Sequence, residues 1–155
     1  MPGSVFQRVE SLLIDNSADY EILQHEPVYT SEEAARVRGT LLSSGAKALI
    51  CKCDNEMIMF VMPADRRLAS KAVRREYGWR KLRFATGEEV EEATGLTPGS
   101  IPPFGSLFGL PTYCDTALAQ NERINFNAGS HTISVALRYT DYLSVERPRM
   151  GEITE

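Results

Sequence analysis

The segment of this chain best suited to chemistry is 97–105, which reads Thr-Pro-Gly-Ser-Ile-Pro-Pro-Phe-Gly. Prolines fix φ and remove backbone N–H groups, and glycines allow conformations closed to other residues. Gly99, Ser100 and Ile101 keep their N–H groups, whereas Pro102 and Pro103 have none. A rigid loop whose remaining N–H groups point one way can bind an anion or a polarised carbonyl. The simpler alternative is a surface connection built from turn residues.

Lys47 precedes a run of largely apolar residues in a predicted strand. Strand alternation places Lys47 on the same side as Leu49 and Cys51. A partly desolvated ammonium at this position would be a strong local charge, and burial would lower its pKa. The alternative is an ordinary exposed lysine at a strand end.

A third candidate is the turn Gly129-Ser130-His131 near the end of the chain. A histidine in a turn can bind or polarise a substrate, or it can simply hydrogen-bond a backbone carbonyl. No Ser–His pair with an orienting carboxylate is evident, so Ser100 is not expected to act as a nucleophile.

Length and composition predict one domain, residues 1–155, with a proper core. The chain has 155 residues, 43% hydrophobic and 25% charged, which argues against disorder. No apolar run approaches membrane-spanning length, so no membrane association is expected. The first residues show no secretory signal, so we expect a cytoplasmic protein.

Cys51, Cys53 and Cys114 are the three cysteines, and their odd number does not suggest a disulfide framework. Zinc sites use about four nitrogen or sulfur ligands, and the chain has only two histidines, His25 and His131. We therefore expect no metal and no cofactor.

The net charge of −4 excludes a generally basic nucleic-acid-binding protein but not a local basic patch. Residues 66–83 hold eight of the 17 basic residues of the chain. A predicted helix in this segment, from Asp65 to Tyr77, would carry a basic face. We expect that face to bind the phosphates of a nucleic acid through Arg67, Lys71, Arg74 and Arg75.

Periodicity and cap residues predict six helices and seven strands. The helices are predicted at 4–14, 30–38, 65–77, 86–94 and 139–145, with a further short helix at 115–120. The strands are predicted at 20–24, 46–53, 56–62, 79–85, 111–114, 122–127 and 131–137. The later strands are hairpin-like, which indicates an α+β domain with a mixed, mostly antiparallel sheet flanked by helices.

Together, these motifs resemble the YbaK family, relatives of the editing domain inserted in bacterial prolyl-tRNA synthetases. The family pattern is a lysine at the start of a strand, a G-x-x-x-P loop and a late Gly-Ser-His turn. It falls here on Lys47, on 99–103 and on 129–131, and the resemblance runs from about Tyr20 to about Pro148. The resemblance implies a barrel-like α+β fold.

The resemblance also implies roles for individual residues. Lys47 would lie in the editing pocket and be required for hydrolysis, and the loop at 99–103 would hold the ester carbonyl. The substrate pocket would include Tyr29, Thr30, Pro102, Pro103, Gly129, Ser130 and His131. The resemblance further implies that a ribose hydroxyl of the substrate activates the attacking water. Ala48 departs from several relatives, which have a polar residue there, and this leaves the edited amino acid open.

The function implied is a metal-free deacylase that removes a small amino acid, alanine, cysteine or serine, from a mischarged tRNA. The tRNA implied is that for proline, and an association with prolyl-tRNA synthetase is a further expectation. Two alternatives remain at this point: a non-catalytic module that binds aminoacyl-tRNA or a synthetase, and a hydrolase of small esters or amides.

Overall fold

The computed structural model describes residues 3–155, whose helices and strands follow the predicted order closely. The α-helices are α1 (Val5–Asp15), α2 (Ser31–Arg38), α3 (Ser70–Glu76), α4 (Gly87–Thr94) and α5 (Tyr139–Glu146). The strands are β1 (Tyr20–Gln24), β2 (Ala46–Cys53), β3 (Glu56–Pro63), β4 (Leu82–Phe84), β5 (Thr112–Asp115), β6 (Arg123–Asn127), β7 (Ile133–Arg138) and β8 (Arg149–Gly151). Short 3-10 turns occupy Leu42–Ser44, Gly105–Phe108 and Thr116–Gln120.

The strands form two sheets, one of three strands in the order β1-β7-β6 and one of five in the order β4-β2-β3-β5-β8. All neighbouring strands are antiparallel except β3-β5 and β5-β8, which are parallel. The predicted α+β class with a mixed, mostly antiparallel sheet is therefore confirmed. The sheets do not close into a barrel, so the barrel-like description holds only loosely.

The helix ends follow from their cap residues. Ser4, Thr30 and Thr86 each accept a hydrogen bond from the backbone three residues on, and the glutamine or glutamate there returns one, so α1, α2 and α4 all begin with capping boxes. Gly39 and Gly95 end α2 and α4 with positive φ, which glycine adopts at little cost.

Helix α3 begins at Ser70 rather than at Asp65, and the C-terminal segment explains the difference. Leu68 pairs with Thr154, and the N–H of Ala69 donates to the carbonyl of Ile153. Since residues before Ser70 are paired with the end of the chain, they do not join the helix. Strand β8, which lies directly before Ile153 and Thr154 in the chain, was not predicted.

Strand β4 is also shorter than the predicted 79–85. The indole of Trp79 packs instead against Phe60, Tyr77 and Tyr113, with ring centroids 5.3 to 6.1 Å apart. Trp79 is half-buried in this aromatic cluster and does not pair as part of strand β4.

A cavity opens where the two sheets meet. Strand β4 pairs with β2 only at residues 51–53, which leaves the first half of β2 uncovered on that side. A single parallel bridge between Gly45 and Asn125 joins the start of β2 to β6. The main core below this junction contains residues from both sheets, including Ile50, Met59, Phe126 and Val135.

Candidate functional site

A cavity of about 150 Å³ lies between α2, the start of β2, the end of β6 and the Pro/Gly loop. Five of the predicted site residues line it, namely Tyr29, Thr30, Lys47, Gly99 and Ile101. The lysine and the loop are separated by about fifty residues in the chain, and the fold brings them to one cavity. The lining also includes Ala34, Ala35, Leu41, Leu42, Ala46, Ala48 and Phe126, so the wall is part apolar and part polar.

Lys47 is half-buried at the wall of this cavity, and its Nζ donates to the carbonyl oxygen of Arg66 at 2.8 Å. Burial lowers the pKa of the Lys47 ammonium, although the carboxylates of Glu32 and Asp65 oppose this shift. The lining contains no carboxylate, so the cation at this wall has no ion-pair partner within the cavity.

The Pro/Gly loop is fixed at two of its carbonyls by hydrogen bonds from the end of β6 and from the turn that follows it. Asn127 Nδ2 donates to the Gly99 carbonyl at 2.7 Å, and the Gly129 N–H donates to the Ser100 carbonyl at 2.8 Å. The φ of Gly99 is 92°, in the left-handed region that favours glycine. The loop is therefore a held structure rather than a free surface turn.

Two of the three predicted N–H groups remain available. The N–H groups of Gly99 and Ile101 have no hydrogen-bond acceptor among residues 3–155, and both residues line the cavity. The Ser100 N–H instead donates to the carbonyl of Thr97 at 3.3 Å, and its Oγ donates to the same oxygen at 2.9 Å. Ser100 is buried and does not line the cavity.

Pro102 and Pro103 also lie outside the cavity lining. Both are buried, and the Pro103 carbonyl accepts a hydrogen bond from the hydroxyl of Tyr142 at 2.7 Å. They stiffen the loop through their fixed φ angles and do not line the cavity.

His131 contacts the residues that line the cavity without lining it itself. Its Nδ1 bonds the Val28 carbonyl at 3.0 Å, and its Nε2 bonds Thr97 Oγ1 at 3.0 Å. Because a carbonyl oxygen only accepts, Nδ1 carries a proton and donates it to Val28. The ring packs 4.8 Å from that of Tyr29, so His131 joins the loop to one wall of the cavity.

Gly129 and Ser130 shape the same turn. A Cβ on Gly129 would lie 2.8 Å from Val5 Cγ1, and the φ of Gly129 is 84°. Ser130 Oγ pairs with Thr132 Oγ1 inside the turn. Neither residue lines the cavity.

Sequence reasoning missed four polar residues of the lining: Ser31, Arg38, Asn125 and Asn127. Arg38 Nε donates to Ser134 Oγ at 2.8 Å and its Nη2 donates to Asn127 Oδ1 at 2.9 Å. Burial lowers the pKa of the Arg38 guanidinium to about 10. One signal was present, since Asn125 and Asn127 lie two residues apart in a strand and so share a face.

None of the four predicted nucleic-acid contacts lines the cavity, although the charge of Arg67 is close enough to add to burial in lowering the pKa of Lys47. Lys71 and Arg75 are exposed on α3, and Arg67 precedes this helix. Arg74 contributes to a separate open groove whose other lining residues are Lys52, Asp54, Asn55, Arg80, Lys81, Leu82 and Arg83. This surface is strongly positive although the chain as a whole is acidic.

Residues 3–155 contain no group of three or more histidine, cysteine or carboxylate side chains placed to share a metal ion. Within the same residues, no helix is both long enough and apolar enough to cross a bilayer.

The fold and the site define an editing domain. The family model of the aminoacyl-tRNA editing domain matches residues 25–145, and the chain belongs to this family.

Two relatives resemble the chain in sequence, and one solved structure resembles it in fold. The chain is 35% identical over 154 residues to the multifunctional Ser/Thr-tRNA deacylase ProXp-y of Escherichia coli strain K12, covering 96% of this chain and 92% of that protein. It is 35% identical over 130 residues to the proline–tRNA ligase of Shouchella clausii, covering 79% of this chain and 23% of the ligase. A proposed trans-editing enzyme for prolyl-tRNA synthetase has the same fold, with a TM-score of 0.87, 24% identity and coverage of 100% and 99% of the two chains.

Proposed function

We propose that this chain is a trans-acting aminoacyl-tRNA deacylase that hydrolyses the ester between a small amino acid and the terminal adenosine of a mischarged tRNA. The observation that carries the proposal is the meeting of Lys47 with the free N–H groups of Gly99 and Ile101 at one cavity. The E. coli deacylase supports action in trans, because the alignment covers 92% of it and not an insert in a larger synthetase.

In the proposed reaction, water attacks the acyl carbon and the ester oxygen leaves with the ribose. Negative charge develops on the carbonyl oxygen, and preorganised N–H groups stabilise that charge without having to reorganise. We assign this role to the N–H groups of Gly99 and Ile101. Lys47 adds a partly desolvated positive charge, whose effect is larger than it would be in water.

The proposal needs no covalent enzyme intermediate. The Ser100 hydroxyl donates to the Thr97 carbonyl, and both nitrogens of His131 are held by protein groups. Neither side chain is therefore poised as a nucleophile or its base. We assign activation of water to the neighbouring hydroxyl of the substrate ribose, and the proton passes to the leaving oxygen.

The size of the cavity supports a small amino acid. The cavity measures about 150 Å³ and is open to solvent on one side. A space of about this volume holds a molecule the size of benzene. Alanine, cysteine and serine fit such a space, and the name of the E. coli relative adds threonine. Synthetases reject smaller or isosteric amino acids weakly by binding alone, which is why separate hydrolysis is useful.

The remaining expected contacts belong to the same proposal. Tyr29 and Thr30 contact the substrate at the wall, while Pro102, Pro103, Gly129, Ser130 and His131 position the loop and Tyr29. Arg67, Lys71, Arg74 and Arg75 bind tRNA phosphates. The similarity to proline–tRNA ligases supports the proline acceptor as the tRNA and prolyl-tRNA synthetase as a partner. The whole chain would act as one editing domain in the cytoplasm, where these tRNAs are charged.

A panel of mischarged tRNAs tests the proposal directly. Alanyl-, cysteinyl-, seryl- and threonyl-tRNA for proline are incubated with the wild type and with Lys47→Ala, with and without EDTA. We expect the wild type to deacylate at least one of them in EDTA and Lys47→Ala to lose at least about 100-fold in rate. Tight binding without turnover would establish the binding module instead, and hydrolysis of short aminoacyl esters with no dependence on tRNA would establish the small-ester hydrolase.

A further inference from the structure

Asn125 is a buried polar side chain that the proposed reaction does not use. It lies in the middle of β6, lines the cavity, and is only 9% exposed. The same wall includes the apolar side chains of Leu42, Ile101 and Phe126. A buried amide among apolar side chains is costly unless its polar atoms find partners.

The hydrogen bonds of Ser44 determine which way the Asn125 amide points. Ser44 Oγ donates its single proton to the carbonyl of Leu41 at 2.7 Å. It can therefore only accept from Asn125, whose Nδ2 lies 3.1 Å away. The other atom of the amide, Asn125 Oδ1, receives no hydrogen bond from any residue of the described chain, 3–155. The cavity thus has an oriented acceptor without a donor.

An aminoacyl-tRNA brings three kinds of donor: the α-ammonium, the ribose hydroxyl and, in some amino acids, a side-chain hydroxyl. The ammonium suits Asn125 poorly, because Lys47 and Arg38 line the same cavity and no carboxylate does. The ribose belongs at the cavity mouth, since the rest of the tRNA must extend into solvent. The amino-acid side chain is the part that enters the cavity most deeply.

We propose that Asn125 Oδ1 accepts a hydrogen bond from the side-chain hydroxyl of the substrate and so selects serine and threonine over alanine. This inference rests on the proposed function and specifies the substrate class of the same site. A substrate without the hydroxyl leaves the oriented Asn125 oxygen desolvated and unpaired. Such a loss costs about 1–3 kcal/mol, or roughly 5- to 150-fold in kcat/KM.

The test is the ratio of kcat/KM for seryl-tRNA to that for alanyl-tRNA in the wild type, Asn125→Leu and Asn125→Asp. We expect the wild type to favour serine by about 5-fold or more. Leucine is similar in size and has no acceptor, so Asn125→Leu should bring the ratio close to one, chiefly by lowering kcat/KM for seryl-tRNA. Aspartate keeps an acceptor oxygen, and the Ser44 hydroxyl can turn to donate to it, so Asn125→Asp should keep the preference for serine.

Asn121→Leu is the matched control. Asn121 Nδ2 also donates to a neighbouring residue, the carbonyl of Ser43 at 3.0 Å, but this residue does not line the cavity. The control should retain the wild-type ratio. The inference is wrong if Asn125→Leu, folded by circular dichroism, loses serine and alanine activity equally.

A measurement on the wild type alone covers the case in which Asn125→Leu does not fold. A thiol is a weaker donor than a hydroxyl, so seryl-tRNA should be hydrolysed faster than cysteinyl-tRNA, and cysteinyl-tRNA faster than alanyl-tRNA. Equal rates for serine and alanine would overturn the inference while leaving the proposed deacylase intact. Hydrolysis of none of these substrates would overturn the proposed function itself.

Discussion

Asn127 holds the carbonyl of Gly99 through a hydrogen bond of 2.7 Å from its Nδ2. The Asn127 Oδ1 in turn accepts from Arg38 at 2.9 Å, so a chain of three residues runs from α2 through β6 to the loop. This chain fixes the peptide between Gly99 and Ser100. The Gly129 N–H, which donates to the Ser100 carbonyl, fixes the next peptide and with it the Ile101 N–H, so the loop is set before any substrate arrives. Preorganisation of this kind is what makes backbone donors effective in catalysis.

Replacing Asn127 with aspartate should slow hydrolysis more than it weakens binding. The carboxylate can still pair with Arg38, but it has no proton to donate to the Gly99 carbonyl and repels that oxygen. We expect kcat to fall by about 10- to 100-fold with KM within about threefold, because small misplacements of catalytic groups are costly. Steady-state deacylation of a mischarged tRNA measures both constants.

Asn121→Asp is the control for Asn127→Asp, since Asn121 also donates to a backbone carbonyl but lies outside the cavity lining. It should leave kcat within about twofold of the wild type. A fall in kcat of the same size in both variants would mean that the Asn127 effect is a general loss of stability.

Gly99→Ala tests the loop conformation itself. The φ of Gly99 is 92° and that of Gly95 is 75°, so alanine is strained at both positions by about 1–2 kcal/mol. Gly95 ends α4 with nothing within 4 Å of an added Cβ, whereas Gly99 lies in the cavity wall. We expect similar losses of unfolding free energy in urea for both variants, but a loss of activity of 10-fold or more (an order-of-magnitude expectation) only for Gly99→Ala. Equal activities in the two variants would show that the conformation of Gly99 does not contribute to catalysis.

We expect the partly buried ammonium of Lys47 to lower the free energy of unfolding near neutral pH. Because burial lowers the pKa of its ammonium, the folded state binds fewer protons than the unfolded state between the lowered pKa and the usual lysine value of about 10.4. The stability of the wild type relative to Lys47→Met should therefore be lowest near neutral pH and should rise through that interval. Urea unfolding of both proteins at about pH 7 and about pH 10 measures this difference, and a difference that falls with pH would contradict the expectation.

The basic face of α3 should contribute binding rather than chemistry. Arg74→Glu with Arg75→Glu should raise KM for tRNA by about 10-fold or more and reduce the salt dependence of kcat/KM, with kcat little changed. Arg123→Glu with Arg138→Glu makes the same charge change at a register pair in the other sheet. That control should leave KM and the salt dependence close to those of the wild type, and a matching rise in KM would show that only net charge matters.

The three cysteines should be unreactive in the folded protein. All are buried, and burial raises the pKa of Cys51 and Cys114 to about 12 and that of Cys53 to about 11. Since the thiolate is the reactive form, a thiol reagent at about pH 8 should label the cysteines only after unfolding. Rapid labelling of the native protein would place one of them in an exposed, activated site.

Local signals explain how much of the fold the sequence predicted. The capping boxes at Thr30 and Thr86 and the hairpin around Asp54 predicted α2, α4 and the β2-β3 pair. The start of α3 was wrong because it depends on the end of the chain: Ala69 donates to Ile153, more than eighty residues away. No pattern near Asp65 carries that information.

The site residues were also predictable only where a local motif marked them. Lys47 and Gly99 were recognisable from their motifs, whereas Arg38 looked like the last residue of a helix and Asn125 like one residue of a strand. Their proximity to the cavity comes from the packing of α2 and β6 against β2. The turn at Ser100 was also not predictable, because the competing acceptor, the Thr97 carbonyl, becomes available only when the loop closes on itself.

The most direct test of the central claim is a crystal structure with a non-hydrolysable analogue, in which an amide joins serine to the 3′ position of adenosine. Our account predicts that the seryl group occupies the cavity beside Lys47, with its carbonyl oxygen about 2.7–3.1 Å from the N–H nitrogens of Gly99 and Ile101. An analogue bound elsewhere, or bound in the cavity with its carbonyl directed away from the loop, would contradict it.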